Sequence, residues 1–156
     1  MKSKYEKIIF VTVGTGKFDE LIKAIDEAAP EINLKIIMQI GNGEYMPKNC
    51  EYFRYKDKLD EFYDKAKFII AHGGAGTTYE LLKKGKKIIS AANLDRTDTH
   101  QEEILKALSE EKYLIWCRDL KNILSCIKDA ESFKFKKYCP PKCEIAIKIK
   151  EFVDKL

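Results

Sequence analysis

The stretch "FIIAHGGAGTTYELLKKGKKII" spans Phe68 to Ile89. Phe68 to Ala71 is an apolar run that reads as a buried strand. Gly73, Gly74 and Gly76 follow, and Tyr79 to Lys84 reads as a short helix that Gly85 stops. A second apolar run, Ile88 to Ala92, closes the unit. Strand, glycine turn, helix and strand make the repeating piece of a parallel α/β sheet. Ligands of such sheets bind outside the carboxyl ends of the strands, where the glycines fall. Unshielded N–H groups and the positive end of a helix dipole suit a phosphate there.

The same alternation extends outward. Ile8 to Val13 is a β-branched apolar run, the mark of a strand covered on both faces. Phe18, Leu21, Ile22, Ile25 and Ala28 follow at helical spacing until Pro30. Ile36 to Ile40 and Tyr52 to Tyr55 read as strands two and three, with "GNGEYMP" as turn material. Asp57 is expected to cap a helix carrying Leu59, Phe62, Tyr63 and Ala66. Ile104, Leu105 and Leu108 mark a later helix, and Tyr113 to Trp116 a sixth strand. Asp119 begins a helix with Leu120, Ile123, Leu124 and Ile127. After "CPPKC", Ile145, Ile149, Phe152, Val153 and Leu156 form a last amphipathic helix, with Ile147 off the stripe. The fold expected is α/β: a Rossmann-like parallel sheet of about six strands with helices on both faces. The single domain covers 1–156, its C-terminal helix at 141–156 is a candidate docking element, and the only plausible hinge lies near Ala130 to Pro141.

A chain of 156 residues buries roughly two-thirds of its unfolded surface as one domain. Hydrophobic residues at 45% beside 35% charged residues place it among soluble globular proteins. The net charge of +4 is spread without a basic block, so no nucleic-acid partner is expected. No apolar run reaches the roughly 18 residues that span a bilayer. The start, "MKSKYEKIIFVTVGTGKFDE", reads as a first strand and not a signal peptide, so a cytosolic location is expected. Five cysteines at irregular spacing argue against a disulfide framework. Cys139 and Cys143 could be half a metal site, but no second ligand pair exists. Reduced thiols are the simpler reading, and no metal is expected.

Three loops carry chemistry. "VTVGTGKFDE" brings Gly14, Thr15 and Gly16 to the end of strand one, with phosphate contact and a plain tight turn both open. It is neither a Walker A loop nor a full G-x-G-x-x-G. In the second loop, Thr77 and Thr78 offer hydroxyls beside Gly73, Gly74, Ala75 and Gly76. Glu80 has two readings there. "TTYE" fits a capping box from Thr77, which spacing alone favours, and a carboxylate accepting from both hydroxyls of a ribose is the alternative. The third loop, "NLDRTDTHQEE", crowds Asp95, Asp98, His100, Gln101 and Glu102 at a helix start. The chain has only two histidines, His72 and His100, and both fall in these loops. On neighbouring strand ends they can point into one crevice, although a lone histidine is usually structural.

"VTVGTGKFDELI", "IIAHGGAGTTYELLKKGKKII" and "NLDRTDTHQEE", in this order, resemble the C-terminal, nucleotide-sugar-binding domain of family 28 glycosyltransferases. The match covers roughly residues 7 to 110. It looks closest to the small catalytic subunit of two-component UDP-sugar transferases. These include the eukaryotic transferase that moves N-acetylglucosamine to dolichol-linked N-acetylglucosamine, and bacterial subunits of capsule or exopolysaccharide synthesis. Many relatives carry proline just after strand five, where this chain has Ala91, Ala92 and Asn93, which looks more like the two-component branch than the single-chain enzymes.

The resemblance implies roles. Gly14 to Gly16 and His72 to Thr77 would hold the diphosphate of a UDP-sugar, pressing on the glycine backbone. Glu80 would take the ribose hydroxyls, against the capping box. His100 and Gln101 would lie by the phosphates and the sugar, and the uracil near the "QIGNG" loop. His72 and His100 are the candidate catalytic residues. The fold implied is half of a GT-B enzyme. The chain would be the donor-binding subunit of an inverting hexosyltransferase using UDP-N-acetylglucosamine, UDP-glucose or UDP-galactose. The partners implied are a lipid-linked sugar acceptor and a membrane-anchored subunit that binds it, which would hold the chain at the cytoplasmic membrane face. The UDP-sugar is substrate, so no cofactor is expected. The chain has no D-x-D triplet to hold a metal, which favours a metal-free route. A UDP-sugar-binding regulatory module without catalysis is the alternative. An NAD enzyme on the same fold fits less well: Asp19 lies in the first helix and not at the end of strand two.

Overall fold

A computed structural model describes residues 7–94, 100–140 and 145–155, with side chains of 145–149 excepted. Asp95, Asp98, Cys143 and Leu156, and the side chains of Ile145, Ile147 and Ile149, lie outside what is described.

The strands are β1 (Ile8–Thr12), β2 (Lys35–Gln39), β3 (Glu51–Phe53), β4 (Ala66–His72), β5 (Ile88–Ala91) and β6 (Ile115–Trp116). They form one sheet in the order β3-β2-β1-β4-β5-β6, and every neighbouring pair is parallel. The helices are α1 (Asp19–Ala28), α2 (Asp60–Lys65), α3 (Ala75–Lys83), α4 (His100–Glu110), α5 (Ile123–Ala130) and α6 (Ile145–Asp154).

Period-two alternation along the central strands divides the core in two. Ile9 and Val11 of β1 meet Leu21, Ile22 and Ile25 of α1 and Ile123 and Ile127 of α5. Ile8 and Phe10 face the other way, against Tyr63 of α2, Leu81 and Leu82 of α3, and Leu105 and Leu108 of α4. Phe10 stacks on Phe62 at 5.1 Å and lies edge-on to Tyr63 at 5.8 Å. All five residues of β1 are buried, so each large side chain there contributes about 1.5–3 kcal/mol. The fold expected from the sequence is the one observed.

Local boundaries differ in instructive ways. Asp57 caps nothing: α2 begins at Asp60, with Leu59 before it and no side-chain cap. Ala66, expected on that helix, opens β4, because parallel pairing with Ile8 captures it. β3 stops at Phe53, paired with Ile37 to Gln39, and β6 is only Ile115–Trp116, paired with Ile89 and Ser90. Asp119 caps a single 3-10 turn, Leu120–Asn122, by accepting from Lys121 N, and α5 starts after it. Helix α3 begins at Ala75, not Tyr79, inside the glycine run.

Candidate functional site

β1 connects through α1 to β2 on one side, and β4 through α3 to β5 on the other. The crevice between β1 and β4 is therefore the switch point at which such sheets bind ligands.

The β1 rim is tightly tied. Gly14 has φ +68, and its N–H donates to Thr12 Oγ1 at 3.1 Å. The next four carbonyls are all taken. Gln39 Nε2 donates to Gly14 O at 2.9 Å, and Asn42 Nδ2 to Thr15 O at 3.3 Å. Asn42 N donates to Gly16 O at 2.9 Å, and Asn93 Nδ2 to Lys17 O at 2.9 Å. With the carbonyls held on one side, the N–H groups of Thr15, Gly16 and Lys17 have no partner among the described residues. The β2 loop is held in turn by Arg54, whose Nη1 donates to Gly41 O at 3.1 Å and Gly43 O at 2.8 Å. Asp19 at the start of α1 accepts from Glu44 N at 3.1 Å.

The β4 rim is built around His72, the last residue of its strand and 9% exposed. Its ring lies between two glycines. A Cβ on Gly14 would stand 3.0 Å from its Cε1, and one on Gly74 would stand 2.5 Å from its Nε2. A Cβ on Gly73 would reach Leu105 Cδ1 at 2.9 Å and Gln101 Oε1 at 3.2 Å. The protein's own side chains thus crowd the Cβ positions of Gly14, Gly73 and Gly74, so internal packing favours glycine there beside any approach of a ligand. Gly76 is different: nothing lies within 4 Å of its Cβ direction.

Gly74 precedes α3 with no side-chain cap. Thr77 is already helical, so the expected capping box is absent and Glu80 does not close the helix end. Thr78 is buried, and its hydroxyl donates back to Gly74 O at 2.7 Å, so it is not the ligand donor the sequence suggested. The N–H groups of Ala75, Gly76 and Thr77 have no partner among the described residues. Helix start, open amides and dipole coincide there.

At the third loop the two histidines part. His72 is buried, whereas the His100 side chain is 76% exposed at the start of α4, its Nδ1 3.5 Å from Glu103 Oε2. Gln101 is buried, and its Oε1 accepts from Asn93 N at 3.0 Å. Gln101 and Asn93 thus join α4, the end of β5 and the β1 rim.

A polar cleft of about 300 Å³ opens at these loops. Thr12, Gly14, Thr15 and Gln39 line one side, residues 55–60 another, and Thr77, Glu80 and Lys84 a third. The last three share one face of α3 by helical spacing. Lys84 Nζ bonds Asp60 Oδ1 at 2.7 Å and Glu80 Oε1 at 3.3 Å. The Asp60 bond raises the lysine's pKa and lowers that of Asp60. Gln39 is buried, and its Oε1 has no partner among the described residues. The amide cannot flip, because Gly14 O can only accept. A larger groove of about 550 Å³ between α1 and α5 holds neither glycine loop nor histidine. Among the described residues no three histidine, cysteine or acidic side chains cluster as metal ligands. Gln39, Asn93, Lys84 and the 55–60 wall were not assigned to the site by sequence, although Gln39 opens the "QIGNG" loop and Asn93 the third loop.

The model of the glycosyltransferase family 28 C-terminal domain matches residues 8–156. The human UDP-N-acetylglucosamine transferase subunit ALG13 is 36% identical over 153 residues, covering 88% of this chain and 13% of that protein. The chain thus spans a small part of the curated relative's length. The crystal structure of Acinetobacter baumannii MurG superposes with a TM-score of 0.70 at 16% identity, covering 100% of this chain and 51% of that one. An NMR structure of ALG13 superposes with a TM-score of 0.62 at 18% identity, covering 92% and 94%. The fold is therefore the Rossmann-like half of a GT-B glycosyltransferase, and the chain belongs to the glycosyltransferase family 28 C-terminal domains.

Proposed function

We propose that this chain is the donor-binding catalytic subunit of an inverting, metal-independent glycosyltransferase. It moves a sugar from a UDP-sugar to a lipid-linked acceptor, together with a membrane-anchored subunit that binds the acceptor. The observation that carries the reading is the uncapped start of α3 beside Glu80, in a family 28 domain. The donor is UDP-N-acetylglucosamine, the sugar nucleotide in the human relative's name, with UDP-glucose and UDP-galactose as the alternatives.

The diphosphate lies on the N–H groups of Ala75, Gly76 and Thr77 and reaches those of Thr15 and Gly16. Glu80 accepts from the ribose hydroxyls. His72, beneath both glycine loops, donates to the leaving phosphate. His100 faces the phosphates and sugar, and Gln101 keeps its Nε2 for the same ligand. The acceptor hydroxyl attacks the anomeric carbon from the face opposite the phosphate. The carbon–oxygen bond to the β-phosphate breaks, and its electron pair leaves with UDP. The acceptor's proton goes to a base on the partner. Fixed donors at the departing diphosphate supply the charge stabilisation a metal gives elsewhere. No helix among the described residues is long and apolar enough to cross a membrane. In this reading the membrane-anchored partner holds the chain at the cytoplasmic face. Helix α6, with Phe152 and Val153 exposed, is the docking element for it.

Calorimetry with UDP tests the donor site. Glu80→Ala should weaken binding by about 1–3 kcal/mol, the loss of hydrogen bonds to a charged acceptor. Unchanged affinity in a folded variant would remove the ribose role. Binding of UDP-sugar without turnover beside any membrane subunit would make the chain a sensor.

A further inference from the structure

Lys84 is the C-cap of α3, one turn beyond Glu80, and three features set it apart from an ordinary surface lysine. Its ammonium bridges two helices, reaching Asp60 at the start of α2 at 2.7 Å and Glu80 at 3.3 Å. It stands 5.2 Å above the ring of Tyr63. Asp60, Tyr63, Glu80 and Lys84 all line the polar cleft.

The bond takes one oxygen of Glu80, Oε1, and leaves Oε2 unbonded among the described residues. Without Lys84, the Asp60 and Glu80 carboxylates would share one cleft wall with no cation between them. Their repulsion and the pull of solvent would draw Glu80 out of the cleft. We propose that Lys84 is a positioning residue of the donor site. It holds the Glu80 carboxylate toward the ribose and so makes the cleft select ribonucleotides over deoxyribonucleotides. This rests on the reading that Glu80 takes the ribose hydroxyls. A lysine at a helix C-terminus also favours the helix dipole, but that effect would not distinguish one nucleotide from another.

The test is calorimetry of the full chain with UDP and with 2′-deoxy-UDP, on wild type, Lys84→Met, Lys84→Arg and Glu80→Ala. Thermal melts check that each folds. Wild type should prefer UDP by about tenfold or more, the range for a hydrogen bond to a charged acceptor. In Lys84→Met that preference should fall to about twofold or less, and in Lys84→Arg it should largely return, because arginine keeps the charge and the reach. A Lys84→Met protein that loses affinity equally for both nucleotides, or keeps the wild-type preference, overturns the positioning role while the ribose site stands. If wild type shows no preference and Glu80→Ala changes nothing, the ribose reading falls and takes the proposal with it.

Discussion

The two rims of the crevice differ at particular glycines: Gly41 and Gly43 are packed from within, and Gly76 is not. On the β1–β2 side, glycines let the chain pack closely on itself. Gly41 has φ +58, and a Cβ there would lie 2.0 Å from Gly16 O. A Cβ on Gly43 would lie 2.3 Å from Asp19 Oδ1. On the β4–α3 side, Gly76 meets nothing, and the amides around it are open. At Gly41 and Gly43 the protein's own atoms close the space; at Gly76 that space stays open. A glycine in a sequence motif therefore does not by itself mark ligand contact; what stands beside its missing side chain does.

The largest effect belongs to the closed rim. Gly41→Val puts a β-branched side chain into left-handed backbone and against the Gly16 carbonyl. It should cost more than about 3 kcal/mol, or roughly 6–12 °C in Tm for a domain of this size. A loss below about 1 kcal/mol in urea unfolding would show that the two loops part easily, and the contrast between the rims would fail.

That contrast also separates what the sequence discloses from what it conceals. The alternation of Ile8 to Val13 and Phe68 to Ala71 with amphipathic segments reveals the layered sheet, because burial on both faces leaves unbroken apolar runs. Glycine spacing located the loops. It could not say that His72 fills the space between Gly14 and Gly74, because that needs β1 and β4 side by side. Asn93 and Lys17 are 76 residues apart, and Gln39 and Gly14 are 25 apart, before folding joins them. The capping box failed for a local reason: Ala75 and Gly76 carry no helical periodicity, yet packing starts the helix there, and Thr77 falls inside it.

A middle-sized effect tests how the closed rim is braced from behind. Asp26 is buried in α1 and accepts from Tyr45 Oη at 2.8 Å, Lys48 N at 2.9 Å and Asn49 N at 2.8 Å. Burial pushes its pKa up, but hydrogen bonds from Lys48 N, Asn49 N and Tyr45 Oη outweigh it and hold it below the ordinary 3.8. A depressed folded-state pKa gives stability that is present above the unfolded value, about 3.9, and lost as pH falls through the folded value. Asp26→Asn turns an amide toward N–H donors and should cost about 1–3 kcal/mol at neutral pH. The gap from wild type should start to shrink as pH drops below about 4, where the unfolded-state carboxyl takes up its proton, and go on shrinking through the lower folded value. Equal gaps at pH 7 and pH 3 would mean that charge plays no part in the brace.

The smallest effect lies on the open rim. Gly76 is the second residue of α3, and its φ is not positive. Alanine there needs no strained backbone, meets no atom and restricts the unfolded chain. Gly76→Ala should therefore raise stability, by up to about 1 kcal/mol and less so near a helix end. Its methyl group would project beside the amides of Ala75 and Thr77. If a diphosphate rests on those amides, UDP should bind about three- to tenfold more weakly, or about 0.6–1.4 kcal/mol. Stability up and affinity down is the signature of a glycine kept for access. The same change at Gly41 should lower stability, since a Cβ there meets the Gly16 carbonyl in left-handed backbone. If Gly76→Ala is more stable and binds UDP as wild type does, the ligand does not approach α3 from this side. The phosphate would then have to rest on Thr15 and Gly16 alone, and the difference between the rims would be one of packing with no bearing on the nucleotide.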